Sequence, residues 1–146
     1  MPQGIQTGIL ERCDAIEECY EFMLAYAAKG LPTEEGGQAS PIREFLDRAA
    51  NAISGLAASF ASALEEGSFE PVEKYQAFLV VLDRDAQNSL AALELVRAQS
   101  SISSQLIDNL NASIHLRALL TDLFLVGDVL RSRLALNADR NTQVNS

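Results

Sequence analysis

Between Ile107 and Leu136 the chain is apolar on two faces of a single helical run, and few architectures can accommodate that. Successive residues placed about 100° apart, as in an α-helix, bring Leu116, Leu119, Leu120, Leu123, Val126, Leu130 and Leu134 onto one face. Ile107, Leu110, Ile114, Leu125 and Val129, with Ala118 and Thr121 between them, fall on roughly the opposite face. A helix on the outside of a small bundle needs one apolar stripe, whereas a helix with two is covered on both sides. A membrane span is the rival explanation. Arg117, Asp122, Asp128 and Arg131 interrupt the run, so it holds no apolar stretch of about 18 residues or more. The run therefore reads as a helix that packs on its own bundle through one face. Its second face, Ile107, Leu110, Ile114, Leu125 and Val129, is the expected interface with a second copy or another protein.

Charge narrows the partner. The 146 residues carry a net charge of −9, which repels a nucleic-acid backbone or an anionic membrane surface. Residues 1–100 hold 7 Lys/Arg against 16 Asp/Glu, while residues 101–146 hold 4 against 4. The two-faced run thus lies in the neutral part of the chain, where two copies meet with little repulsion. Met1-Pro2-Gln3-Gly4 opens no basic region and no long apolar core, so no signal peptide is expected. Cys13 and Cys19 point in different directions on one helix and match no zinc spacing; two unpaired thiols suit a reducing cytoplasm.

The remaining periodicity predicts four helices. The first starts at Thr7 and runs to Lys29, stopped by Gly30 and Pro32. Ile5, Ile9, Cys13, Ile16, Tyr20, Met23 and Ala27 form its stripe, and Glu11, Asp14, Glu18 and Glu21 its opposite face. Leu31 to Ala39 reads as a loop. The second helix begins at Ser40-Pro41, with Ser as N-cap and Pro at the first helical position, and continues to Gly67. The third starts near Pro71, and its apolar heptads run from Val72 through Leu82, Ala86 and Ser89 to Val96, a pattern of left-handed bundles. The run Ser100-Ser101-Ile102-Ser103-Ser104 reads as a break before the fourth helix, because Ser has a poor helix preference. The expected fold is all-α, an antiparallel up-down-up-down four-helix bundle that dimerises through its last helix. Residues 1–136 form the single domain, and 137–146 a disordered polar C-terminal tail.

Little in the chain points to chemistry. The acidic face of the first helix lies opposite its stripe, where water keeps carboxylates at ordinary acidity. His115, the single histidine, falls on a polar seam between the two apolar faces, with Asn111, Asp108 and Asp122 on the same side. It reads as a hydrogen-bonded residue at an interface edge; the sharper alternative is a metal or haem ligand flanked by Asp108 and Asp122. A ferritin-like di-iron site needs paired Glu-x-x-His, and Ala112 stands three residues before His115. The Cys-x-x-Cys-His of c-type haem is missing, as are a Gly-rich phosphate loop and a recognisable Ser/His/Asp set. No cofactor is expected. The leading expectation is a non-enzymatic, cytoplasmic, homodimeric interaction module: an adaptor, chaperone or assembly factor that meets itself and a further protein, with neither nucleic acid nor membrane as partner. The alternative is a small-molecule, haem or metal carrier or sensor using the bundle core near His115.

Overall fold

Helix starts and stops follow local chemistry at most of the expected places. A computed structural model describes the backbone of residues 2–36 and 40–145, and the side chains of residues 8–36, 40–133, 135 and 136. The helices are α1 (Pro2–Ala28), α2 (Pro41–Ser54), α3 (Leu56–Glu66), α4 (Val72–Arg97), α5 (Ser104–Asn111) and α6 (Ile114–Asn145), and the fold of the described residues is all-α. Gly30 takes a φ of +67° just beyond α1, a left-handed stop that suits glycine. Pro41 occupies the first position of α2. Ser103 caps α5 by accepting a hydrogen bond from the Leu106 N–H at 3.0 Å, so the serine run is both break and cap.

Six helices make four rods. α2 and α3 form one rod broken at Gly55, and α5 and α6 another broken at Ala112–Ser113. α1 packs on the α2–α3 and α5–α6 rods, and so does α4. Among the described residues α1 and α4 do not touch, so they stand on one diagonal. Phe22 stacks on Phe45 at 3.9 Å, Phe60 meets Phe78 edge-on, and Ser89 donates to the His115 carbonyl at 2.8 Å. Each contact joins opposite ends of consecutive rods, which is the up-down-up-down arrangement. One core runs through it, from Ile9, Cys13, Ile16 and Met23 of α1 to Leu116, Leu119, Leu123 and Leu130 of α6.

Neither break is expected from periodicity. At Gly55 the Arg12 guanidinium occupies the space a side chain would fill: an added Cβ would lie 2.6 Å from it. Arg12 donates to the Asn51 and Ala52 carbonyls at 3.2 and 3.3 Å, and so satisfies acceptors at the C-terminal end of α2, where a cation is favoured. At the second break, buried Asn111 donates to the Met23 carbonyl at 3.2 Å while Ser113 Oγ accepts from the His115 N–H. The change of phase carries Ile107 and Leu110 into the core. The backbone of α6 runs on to Asn145, into the segment expected as a tail; extending an existing helix needs no new nucleus. The side chains of Ile5, Thr7, Leu134 and 137–146, and residues 37–39 of the expected loop, lie outside the described residues.

The loop expected after α1 contains a buried anchor. Glu34 Oε1 accepts from Arg43 at 2.6 Å and from the Ile102 N–H at 2.9 Å, and Oε2 accepts from Arg43 Nε at 3.0 Å and from Ser40. Ser40 therefore gives its hydroxyl to Glu34 and does not cap α2 with it. Arg43 donates further to the Arg97 and Gln99 carbonyls. Tyr26 donates to the Ile102 carbonyl, and Ser104 to that of Tyr26 at 2.7 Å. Burial alone would raise the pKa of Glu34, but the hydrogen bonds from Arg43, Ser40 and the Ile102 N–H outweigh it and hold the carboxyl below its usual range. A carboxyl depressed in the folded state stabilises above its unfolded pKa, and that stability is lost as pH falls. Glu34→Gln should cost roughly 3 kcal/mol at pH 7 by leaving Arg43 buried without its counter-charge. Thermal unfolding at pH 7 and pH 3 should show the loss at pH 7 and a smaller difference from wild type in acid.

Candidate functional site

α6 buries one face and leaves the other bare. Leu116, Leu119, Leu123, Val126 and Leu130 recur at three and four and point into the core. On the outward face Ile114 is 75% exposed, Leu125 53%, Val129 41% and Leu136 57%, with Phe124 exposed at its flank. The structure thus divides the expected interface: Ile114, Leu125 and Val129 share the open surface, while Ile107 and Leu110 are buried on α5.

The bare face continues onto α4. The stripe of α4 is buried only from Leu82 onward, at Leu82, Ala86, Ser89, Leu93 and Val96. In its N-terminal half Tyr75, Phe78 and Leu79 are half-buried, and Val72, Val80 and Val81 are exposed. A groove of about 260 Å³ opens there, lined by Phe60, Tyr75, Phe78, Leu125, Val126 and Val129, with Lys74 supplying the one cation. Sequence periodicity assigns Tyr75 to the core and misses Phe78 and Lys74 as groove residues. The available signal is Phe78, Val80 and Val81, apolar residues beyond what one stripe needs.

The polar seam expected on the last helix does not assemble. His115 and Asp108 are exposed, on different helices, while Asp122 is buried. Among the described residues, no group of three or more His, Cys, Asp or Glu is placed to hold a metal ion. Asp122 has another neighbour instead. It is 7% exposed, its Oδ2 has no hydrogen-bond partner, and the carboxyl of Asp85 on α4 faces it. Burial first, then the shared hydrogen bond and the negative charge of Asp85, push the Asp122 carboxyl up to about 7. The two carboxyls behave as a pair that holds a proton between α4 and α6.

Cys13 and Cys19 are buried free thiols. Burial, with Glu17 and Asp14 beside it, raises the Cys13 thiol to about 12, so it stays protonated and unreactive at neutral pH. No helix among the described residues is long and apolar enough to cross a membrane. Comparison of the chain with protein-family models, curated proteins and solved structures gives no match, so geometry alone carries the reading of this face.

The Asp122 proton has a consequence for stability. A carboxyl whose folded pKa is raised favours folding at low pH; that contribution falls as pH rises from about 4, where the unfolded chain ionises, towards the folded value of about 7. Asp122→Asn keeps the shape without the charge. It should melt about 3 °C or more above wild type at pH 8 and flatten the decline in Tm between pH 5 and pH 8. Parallel melting curves for the two proteins across that range would show that the pair does not titrate there.

Proposed function

We propose that the chain is a non-enzymatic protein–protein interaction module, an adaptor, chaperone or assembly factor, that works in the cytoplasm as a homodimer joined through α6. The observation that carries this reading is the outward stripe of Ile114, Leu125, Val129 and Leu136. It extends about 33 Å along the helix at 1.5 Å per residue and runs into the groove beside α4. Single exposed apolar residues are ordinary on a soluble protein, but four large ones aligned on one helix face and leading into an apolar groove mark a surface that another molecule covers. The near-neutral charge of residues 101–146 favours a second copy, and the two buried thiols suit a reducing compartment. A carrier of haem, metal or a small molecule in the core near His115 finds no support here, because that side chain lies on the surface.

Replacing Leu125 or Ile114 with Asp puts a charge into the stripe without touching the core. Each variant should shift the protein from dimer to monomer in sedimentation velocity, with far-UV circular dichroism essentially unchanged. Wild-type protein that sediments as a monomer at high micromolar concentration would overturn the homodimer.

A further inference from the structure

The outward face of α6 also specifies how its partner lies on it. We infer that the occupant is a second copy of the chain packed antiparallel along α6 about a two-fold axis near Thr121–Asp122, with Ile114 of each copy seated at the Leu125–Val129 groove of the other. This rests on the dimer reading above and adds an orientation and a register to it.

Three pairs of positions support the arrangement. In an antiparallel pair related by a two-fold, residues facing each other have numbers that sum to a constant, and each contact occurs twice. Ile114 and Val129 are centred at 121.5, and so are Ala118 and Leu125. The charged residues that border the stripe, Arg117 and Asp128, are centred at 122.5. The apolar and ionic centres thus agree to within one residue, a rise of 1.5 Å. In that register the protruding Ile114 side chain of one copy meets Val129 and the mouth of the other copy's groove, where Tyr75 and Phe78 leave room. Small Ala118 meets large Leu125, which lets the helices approach.

Charge selects the direction. Among the described residues neither Arg117 nor Asp128 belongs to an ion pair, whereas Arg131 pairs with Asp14 and Arg97 with Asp47. Both lie on the side of the stripe away from α4, at matching angles on the helix. Antiparallel copies bring each Arg117 beside the other copy's Asp128, making two opposite-charge contacts. Parallel copies, related by an axis along the helices, place the two Arg117–Asp128 flanks on opposite sides of the seam, where neither charge meets its opposite. Only the antiparallel pairing gives these contacts.

Two sets of variants test the register. Arg117→Glu and Asp128→Arg should each weaken self-association about tenfold, since two attractive contacts become two repulsive ones. The double variant R117E/D128R should return to within about threefold of wild type. Under mild oxidation, Thr121→Cys should form an intermolecular disulfide with itself near the axis. Ile114→Cys alone should not, while a mixture of Ile114→Cys and Val129→Cys should link. A dimer that Leu125→Asp dissociates, but in which the double variant gives no rescue and Ile114→Cys links to itself, overturns the antiparallel register and leaves the dimer standing. A monomeric wild type overturns both, and assigns the face to a different protein.

Discussion

The Glu34–Arg43 ion pair fixes one end of the bundle, and the arrangement of all four rods depends on it. Glu34 belongs to the loop after α1, Arg43 to the first turn of α2, and their remaining hydrogen bonds go to the end of α4 and the approach to α5. Four chain segments are thereby held at one point. A buried ion pair adds little net stability over an apolar replacement, because removing both charges from water costs nearly what their attraction returns. Its value here is geometric: Arg43 serves carbonyls at fixed positions, so a rod that slid by one turn would leave a buried guanidinium without acceptors. The Tyr26–Ile102 and Ser104–Tyr26 bonds close the same end. Register is set at this closed, polar end.

The far end is governed by different forces. There Arg133 lies over the Phe69 ring, 4.6 Å from its centre, and donates to the Ser68 carbonyl, tying α6 to the turn before α4. Between that tie and Leu82, α4 buries no residue fully, and the groove opens beside α6. The molecule is therefore asymmetric along its length: polar contacts saturate one end, and unmatched apolar surface collects towards the other. An apolar groove left open to water forgoes the transfer free energy of its lining, about 25 cal/mol for each Å² left uncovered. Covering that lining with a second apolar face recovers the difference.

Helical periodicity reads the inner face of α6 correctly because one continuous helix carries it: Leu116, Leu119, Leu120, Leu123, Val126 and Leu130 all lie in the core. It reads Ser100–Ser104 as a break for the same local reason, the weak helix preference of serine and its readiness to cap. It fails at Ala112–Ser113, and the failure carries over to the site. Extrapolating phase across that break places Ile107 and Leu110 outside, when both are in the core, and sets Asp108 in line with His115, when they are on separate helices. The Gly55 break is illegible for a related reason. Its compensation comes from Arg12, about forty positions away in sequence and adjacent only after folding. Glu34 likewise sits among loop residues that local rules leave in solvent, and only its remote donors account for its burial.

The Asp85–Asp122 pair bears on which contact in the bundle is least optimised. A carboxyl at a helix–helix seam, 93% buried by its 7% exposure and facing a second carboxyl, opposes the packing of α4 on α6 unless a proton is bound. An apolar residue at 122 would remove that opposition, as Leu119 and Val126 show one turn to either side. The same seam lacks fully buried side chains along the first part of α4 and holds the groove. Two departures from tight packing, the facing carboxyls and the open groove, thus fall on one pair of helices, the pair that carries the outward apolar surface. Local departures from the rules of a stable fold concentrate where a surface serves something other than the monomer's own stability. Their coincidence on α4 and α6 supports placing the working face of the protein there.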